Sequence, residues 1–253
     1  MLRELGRGAV VIGGFATRIW LIARPIAIPA RATADVDLGI DRHELRLYSD
    51  RPRVRPLLEE RGFENAPSDE TLRFTKVVGA RKERFVVDLL AAKGQSRKHP
   101  PVIEPGLSSV AAPGLAYALG RRPVAAEVVF GQDESGVAVQ LVRLDGAFVM
   151  KAALCSEGLR QRPDRRRSDT IDAILLAAAC LEDDEATAAL ARNRNKSEVR
   201  AALRWLDQRF RTPRTKEARR VEAYLDELGR PDGGAWAAER AARLVAACRS
   251  ARG

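Results

Sequence analysis

The sequence predicts an α/β (α+β) protein: a mixed sheet with flanking helices over residues 1–147, then an all-helical domain over residues 148–253. Short apolar or alternating runs at 10–12, 72–78 and 85–90 carry strand signals. A glycine pair, Gly13-Gly14, ends the first of these and leads into helically spaced Phe15, Ile19 and Ile22. From Phe148 onward the pattern is helical to the end. A chain of 253 residues with 45% hydrophobic content can build one large domain or two small ones around a sizeable core.

In chain order, residues 2–7 read as a short helix and 10–12 as a buried strand. Gly13 and Gly14 tolerate backbone conformations that a side chain would forbid. A strand ending in glycines before a helix is a place where backbone N–H groups can hold phosphate oxygens. The next strand, 33–38, carries Asp35 and Asp37, which project to one face roughly 7 Å apart along it. Val36 and Leu38 face the opposite way, into a core. Two acids on one face repel unless a cation lies between them, and a divalent metal near phosphates is the simplest one that fits.

Residues 41–49 and 53–61 read as surface helices, with Gly62 as C-cap of the second. Residues 72–78 and 85–90 read as strands of one hairpin, turning at 79–83. Asp88 is a carboxylate inside the second run, where burial without a partner is costly. Glycines and prolines over 91–123 predict a looping connection, with a short element near 110–119. The last strands are expected at 125–130 and 137–142, turning at 131–136. A helix then starts at 149–154, followed by the basic run Arg160, Arg162, Arg165, Arg166 and Arg167. Asp169 and Asp172 open an apolar helix to residue 181, where acids suit the positive end of the helix dipole. Further helices are predicted at 184–192, 197–210, 216–228 and 235–249.

The net charge of +10 favours a polyanionic partner such as nucleic acid or nucleotide. Two histidines, His43 and His99, argue against a histidine-based metal site. Cys155, Cys180 and Cys248 are widely spaced and fit reduced, packed thiols better than a disulfide or zinc framework. The apolar stretch 19–30 is broken by Arg24, Pro25 and Pro29, so no membrane span is expected, and residues 1–11, with Arg3, Glu4 and Arg7 before a strand, lack a signal-peptide core. A cytoplasmic location is the expectation.

Glycine loop, Asp-x-Asp strand and a third aspartate on a neighbouring strand suit phosphoryl or nucleotidyl transfer. That chemistry needs a held triphosphate, neutralised charge and an acceptor oxygen placed in line. Two metals about 3.5–4 Å apart can clamp the attacking and leaving oxygens, and Asp35, Asp37 and Asp88 supply the acids such a pair needs.

Gly13-Gly14, Arg31-x-Thr33-x-Asp35-Val36-Asp37-Leu38 and Val87-Asp88-Leu89-Leu90 together resemble the nucleotidyltransferase superfamily with a DNA polymerase β-like fold. With Lys151-Ala152-Ala153-Leu154 and Ser168-Asp169-Thr170-Ile171-Asp172, the chain is more closely similar to the AbiEii-type (MenT-like) nucleotidyltransferase toxins of toxin–antitoxin and phage-defence systems. The resemblance covers roughly residues 10–182. It implies that Gly13 and Gly14, with Arg31 and Thr33, shape the nucleotide site. It implies Asp35, Asp37 and Asp88 as ligands to Mg2+ or Mn2+, with Asp88 also the base on the acceptor hydroxyl. Lys151 would hold the phosphates of the NTP as a point charge, Asp169 would orient Lys151 or the acceptor, and Asp172 would support them. The helical domain would thus contribute Lys151 and Asp169 to the active-site cleft. Two positions depart from the pattern. Phe15 follows the glycine pair where a hydroxyl residue is usual, and Ser168 stands where the family carries lysine, with Arg167 beside it as the nearest cation.

The implied activity moves NMP from an NTP onto RNA, a tRNA 3′ end above all, as a toxin with a cognate antitoxin and no membrane partner. The basic run 160–167 is the expected RNA contact, because phosphate contacts dominate affinity. Two alternatives stand beside it: transfer to a small molecule such as an aminoglycoside or to a protein hydroxyl, and a catalytically inactive protein that binds nucleic acid or a partner.

Overall fold

The computed structural model describes residues 8–24, 26, 28, 35–46, 53–65, 73–79, 82–92, 101–104, 107–128, 136–156 and 163–250. Arg31, Thr33, Arg160, Arg162, the helix expected at 2–7 and most of the turn expected at 131–136 lie outside them. The chain divides into two compact units, Met1–Ile19 with Arg31–Arg143, and Trp20–Ala30 with Leu144–Gly253.

The first unit is built on a mixed sheet. β1 (Ala9–Ile12) is buried along its whole length, as expected of an inner strand of β-branched residues. α1 (Gly13–Ile22) follows it with no intervening loop. β2 (Asp35–Ile40) lies antiparallel to β1 and parallel to β5 (Glu83–Ala92). β4 (Arg73–Val78) is the antiparallel hairpin partner of β5, with the short β3 (Glu64–Asn65) beyond it. On the other side of β1 lie β10 (Val137–Leu141), parallel to it, and β9 (Val124–Val128), antiparallel to β10. The strand order is β3-β4-β5-β2-β1-β10-β9, and β8 (Val110–Ala112) pairs with the end of β5.

The two faces of the central strands differ. From Val86 on, β5 alternates between half-buried and buried positions. Leu38, Ile40, Phe74, Val87, Leu89 and Ala91 form the buried set. Asp35, Asp37, Val86, Asp88, Arg73 and Thr75, one residue out of step, are only half-buried. Strand geometry sends these two sets to opposite faces, so the acids share one incompletely covered face. α2 (Arg42–Arg46) starts after Asp41, whose Oδ1 accepts the N–H groups of His43 at 2.9 Å and Glu44 at 3.2 Å. α3 (Val54–Glu60) is capped from a distance: Glu104 accepts the Val54 and Arg55 N–H groups, both at 3.0 Å. At its other end Gly62 adopts φ +76°, and Phe63 N–H closes the turn on Leu58 O at 3.0 Å.

The expected looping connection over 91–123 is structured where it is described. It contains the end of β5, β6 (Val102–Glu104) paired with β7 (Leu107–Ser108), β8, and α4 (Leu115–Leu119). These elements are two to five residues long, too short for periodicity, and the β8 pairing is non-local. Prolines and glycines mark their ends and do not mark an absence of structure.

The second unit is helical. α5 (Leu144–Ser156) starts at Leu144, not Phe148, so residues 144–147 belong to the helical unit and not to the sheet unit. Leu144 and Ala147 are buried on the same helix as Phe148 and Val149. Burial on nearly every side marks α5 as a central helix. α6 (Pro163–Leu181) begins before the predicted acids, and Arg165, Arg166 and Arg167 lie on its first turns. Pro163 suits a first helical position because its missing N–H would have no helical partner there. α7 (Asp184–Arg192), α8 (Ser197–Arg209), α9 (Lys216–Asp226) and α10 (Gly233–Ser250) complete the unit. α8 and α9 bury one face each: Val199, Ala202, Leu203, Trp205 and Leu206, and Glu217, Ala218, Val221 and Leu225. Trp205 meets Phe210 edge-on at 5.6 Å. Asp183 caps α7, accepting the Ala186 N–H at 2.9 Å while pairing with Arg24. Among the described residues no helix is long and apolar enough to cross a membrane.

Phe74, fully buried on the core face of β4, provides the test of this layering. Phe74→Ala is expected to cost the first unit roughly 3–5 kcal/mol, read from urea unfolding. Val77→Ala, at an exposed position of the same strand, is expected to stay within about 0.5 kcal/mol.

Candidate active site

The acid face is assembled by register. Asp37 stands directly opposite Asp88 in the parallel β2–β5 ladder, and Asp35 lies opposite Val86, two residues earlier on the same face. Asp88 is in turn opposite Arg73 in the antiparallel β4–β5 ladder. One row across three strands therefore reads Asp37, Asp88, Arg73. Arg73 Nε and Nη2 each donate to one oxygen of Asp88 at 2.8 Å, a bidentate pair. The pair keeps access to water, its side chains 28% and 19% exposed. This is the partner that a carboxylate inside an apolar strand requires. No pattern within the 85–90 run points to it, because the pairing depends on the hairpin register.

Gly13 closes the other flank. Its φ is +67°, and a Cβ there would lie 1.8 Å from Asp37 Oδ2. The first helical residue thus presses its backbone against the Asp37 carboxylate, and a side chain has no space. Thr17 Oγ1 donates to Gly13 O at 2.9 Å and ties the first turn of α1 down. Ile12, the last residue of β1, is opposite Asp37, so the strand-to-helix turn is delivered to that carboxylate by the β1–β2 pairing.

The donor chemistry suits a hard divalent cation: carboxylate oxygens, with Asp35 and Asp37 side by side on an accessible face. Among the described residues, no three acidic, histidine or cysteine side chains converge closely enough to hold a metal as they stand. Asp88 directs its oxygens to Arg73 instead. Asp35 and Asp37 fit such an ion as a pair, and Asp88 joins them only by giving up Arg73.

Lys151, Asp169 and Asp172 form a second cluster, inside the helical unit. Lys151 Nζ on α5 lies 2.8 Å from Asp169 Oδ1 and 2.9 Å from Asp172 Oδ2 on α6. All three residues are buried. Asp169 and Asp172 are three apart and share a helix face, which lets one ammonium reach both. Burial alone would lower the Lys151 pKa; the charges of Asp172 and Asp169 overcome it and hold the ammonium well above its ordinary 10.5. Cys155 lies one turn along α5, its Sγ 3.9 Å from Thr170 Oγ1. Burial, aided by the charge of Asp169, pushes this thiol up to about 12, against the opposing pull of Thr170 and Lys151. Cys155, Cys180 and Cys248 are all buried and free, and a protonated thiol of this kind is unreactive.

The expected site residues thus form two sets in different units. Asp35, Asp37, Asp88 and Gly13 are gathered around one sheet face. Lys151, Asp169 and Asp172 are gathered between two helices. Arg167 Nη2 pairs with Glu227 at 2.7 Å. Arg73 is the site residue that the sequence does not announce. A further concave feature of the first unit, about 460 Å3, lies at the far end of β2 from Asp35, between Ile40, Arg42, His43, Ala92 and Leu119.

Two substitutions test these assemblies. Gly13→Ala is expected to lose about 1–2 kcal/mol from the left-handed backbone alone, and more from the clash with Asp37. In an Asp37→Gly background only the backbone part is expected to remain, so a double-mutant cycle in urea reads the contact directly. Lys151→Met strands two buried carboxylates and is expected to cost about 3–5 kcal/mol at neutral pH. The raised pKa means that the Lys151 contribution is complete below its ordinary 10.5 and fades only as pH rises through the higher folded value. Wild-type unfolding measured between pH 6 and 9, at about unit steps, is therefore expected to show no loss from deprotonation of Lys151. No protein-family model, curated protein or solved structure matches this chain.

Proposed function

We propose that the chain is a metal-dependent nucleotidyltransferase that moves NMP from an NTP onto an acceptor, RNA and in particular a tRNA 3′ end, as the toxin of a toxin–antitoxin or phage-defence pair. The observation that carries this reading is the row of carboxylates: Asp37 in register with Asp88, and Asp35 one pleat away on the same face. The polymerase β-like arrangement belongs to the same proposal, supported by a strand–glycine–helix turn packed against the second acid.

Asp35 and Asp37 would hold Mg2+ or Mn2+. A divalent ion bound there would neutralise charge on the triphosphate and the leaving pyrophosphate. Gly13 and Gly14 bring the backbone of the α1 N-terminus next to Asp37, where N–H groups can meet phosphate oxygens. Asp88, once released from Arg73, would accept the proton of the attacking hydroxyl, and the guanidinium so freed would be available to phosphate. The role toward the nucleotide expected of Lys151 and Asp169 would require their buried cluster with Asp172 to open, so in this proposal the three support the helical unit first.

A second reading, a non-catalytic binding protein that keeps the fold, is favoured by one observation: the Arg73–Asp88 pair leaves no three-carboxylate group assembled among the described residues.

Incubation with each radiolabelled NTP, Mg2+ or Mn2+, and bulk tRNA separates them. Wild-type protein is expected to label RNA, and Asp37→Asn to reduce labelling by about 100-fold or more, the loss that follows when several kcal/mol of charge stabilisation are removed. Label on an aminoglycoside or on protein would move the acceptor to the corresponding alternative. No label under any condition, with growth inhibition retained in Asp35→Ala and Asp37→Ala, would overturn catalysis in favour of binding.

A further inference from the structure

Residues 196–214 carry six cations, Lys196, Arg200, Arg204, Arg209, Arg211 and Arg214, against two carboxylates, Glu198 and Asp207. The six cations are all exposed. α8 buries Val199, Ala202, Leu203, Trp205 and Leu206, which turns Arg200 and Arg204 to water, one turn apart and one turn beyond the N-cap Lys196. Four residues of helix span about 6 Å, within the screening length of about 8 Å at physiological salt. Their charges therefore add to one field.

Two carboxylates against six cations leave that field strongly positive. Glu198 accepts from Ser197 Oγ at 2.7 Å, and Asp207 is paired with Arg249 at 2.9 Å. Among the described residues no carboxylate pairs with Arg200, Arg204, Arg209, Arg211 or Arg214. Like charges four apart on a helix oppose its folding, so the stripe gains nothing structural from its composition. Large apolar residues are buried throughout this stretch. That argues against an amphipathic membrane face, which needs an exposed apolar side, and against an apolar protein interface.

We propose that the exposed face of α8 and the turn after it bind the phosphodiester backbone of a polynucleotide. As the surface that holds the acceptor, it rests on the nucleotidyl-transfer reading; as a backbone-binding surface, it does not. It also differs in position from the run ending at Arg167, whose guanidinium is engaged by Glu227.

The test is fluorescence anisotropy of the full chain with a fluorescein-labelled single-stranded RNA and with DNA of the same sequence, in the absence of NTP and divalent metal. An enzyme with no transfer activity leaves this readout untouched, so the two proposals fail separately. Arg200→Gln/Arg204→Gln is expected to weaken RNA binding about tenfold or more and to make the log K against log salt slope shallower by about 1.4, roughly 0.7 for each lost phosphate contact. The thermal melt of this variant is expected to match wild type or lie slightly above it, because a like-charge pair is removed. Arg240→Gln/Arg243→Gln removes the same charge from arginines paired with Glu182 and Glu239 and is expected to leave affinity and slope unchanged. Similar binding of RNA and DNA supports a backbone contact. An unchanged α8 variant, equal losses in both variants, or capture by phosphatidylserine vesicles with no polynucleotide binding would each overturn the proposal.

Discussion

The register between β2 and β5 is the constraint on which the first unit depends. It sets Asp37 beside Asp88, strands about 4.8 Å apart, although like charges directly opposite each other destabilise a ladder. A slip of one residue would separate them. It would also send the apolar set of the strand that slips, Leu38 and Ile40 or Leu89 and Ala91, from the core to the open face. Burying each large aliphatic side chain is worth about 1.5–3 kcal/mol, against at most about 1 kcal/mol for a cross-strand charge pair. The apolar face wins, and the charge conflict is left to be answered locally. Arg73 answers it for Asp88, from a position that the β4–β5 pairing fixes independently.

The second unit meets a similar problem with less water. Lys151 is shared between two carboxylates on α6, with side chains 6–10% exposed. Desolvating three charges is expensive, and only good geometry offsets it. The arrangement rewards one alignment of α5 on α6, because a displacement by one turn would leave at least one buried charge without its partner. Arg73–Asp88 is bidentate but half-open, so it can be exchanged for other contacts at smaller cost. The difference in exposure therefore separates a pair able to rearrange from a cluster that holds its helices in place.

Much of this was legible in the residues themselves. Period-two alternation locates β4 and β5 and tells their faces apart. The spacing of Asp35 and Asp37 puts them on one face before any fold is known, and the oddity of Asp88 in an apolar run signals that it needs a partner. Spacing by three likewise puts Asp169 and Asp172 on one helix face. Between Ala92 and Val124 only a short element near 110–119 was legible; the pairing of β8 with β5 was not, since its partner is distant in sequence, and β6 and β7 are too short to show a period. Nor was the start of α6 at Pro163: its first turns are polar, and an arginine run reads as a loop when no apolar stripe marks its inner side.

The sequence by itself determined which residue types carry charge into the interior and which face of each strand or helix they occupy, because those follow from backbone periods of two and 3.6. It also determined that Gly13 must be a glycine-like turn after a buried strand. Only the tertiary structure decided who meets whom: Arg73 with Asp88, Gly13 with Asp37, and Lys151 with both acids of α6. Those contacts depend on strand register and helix packing, which arise from summed burial over many residues. No local stretch encodes them.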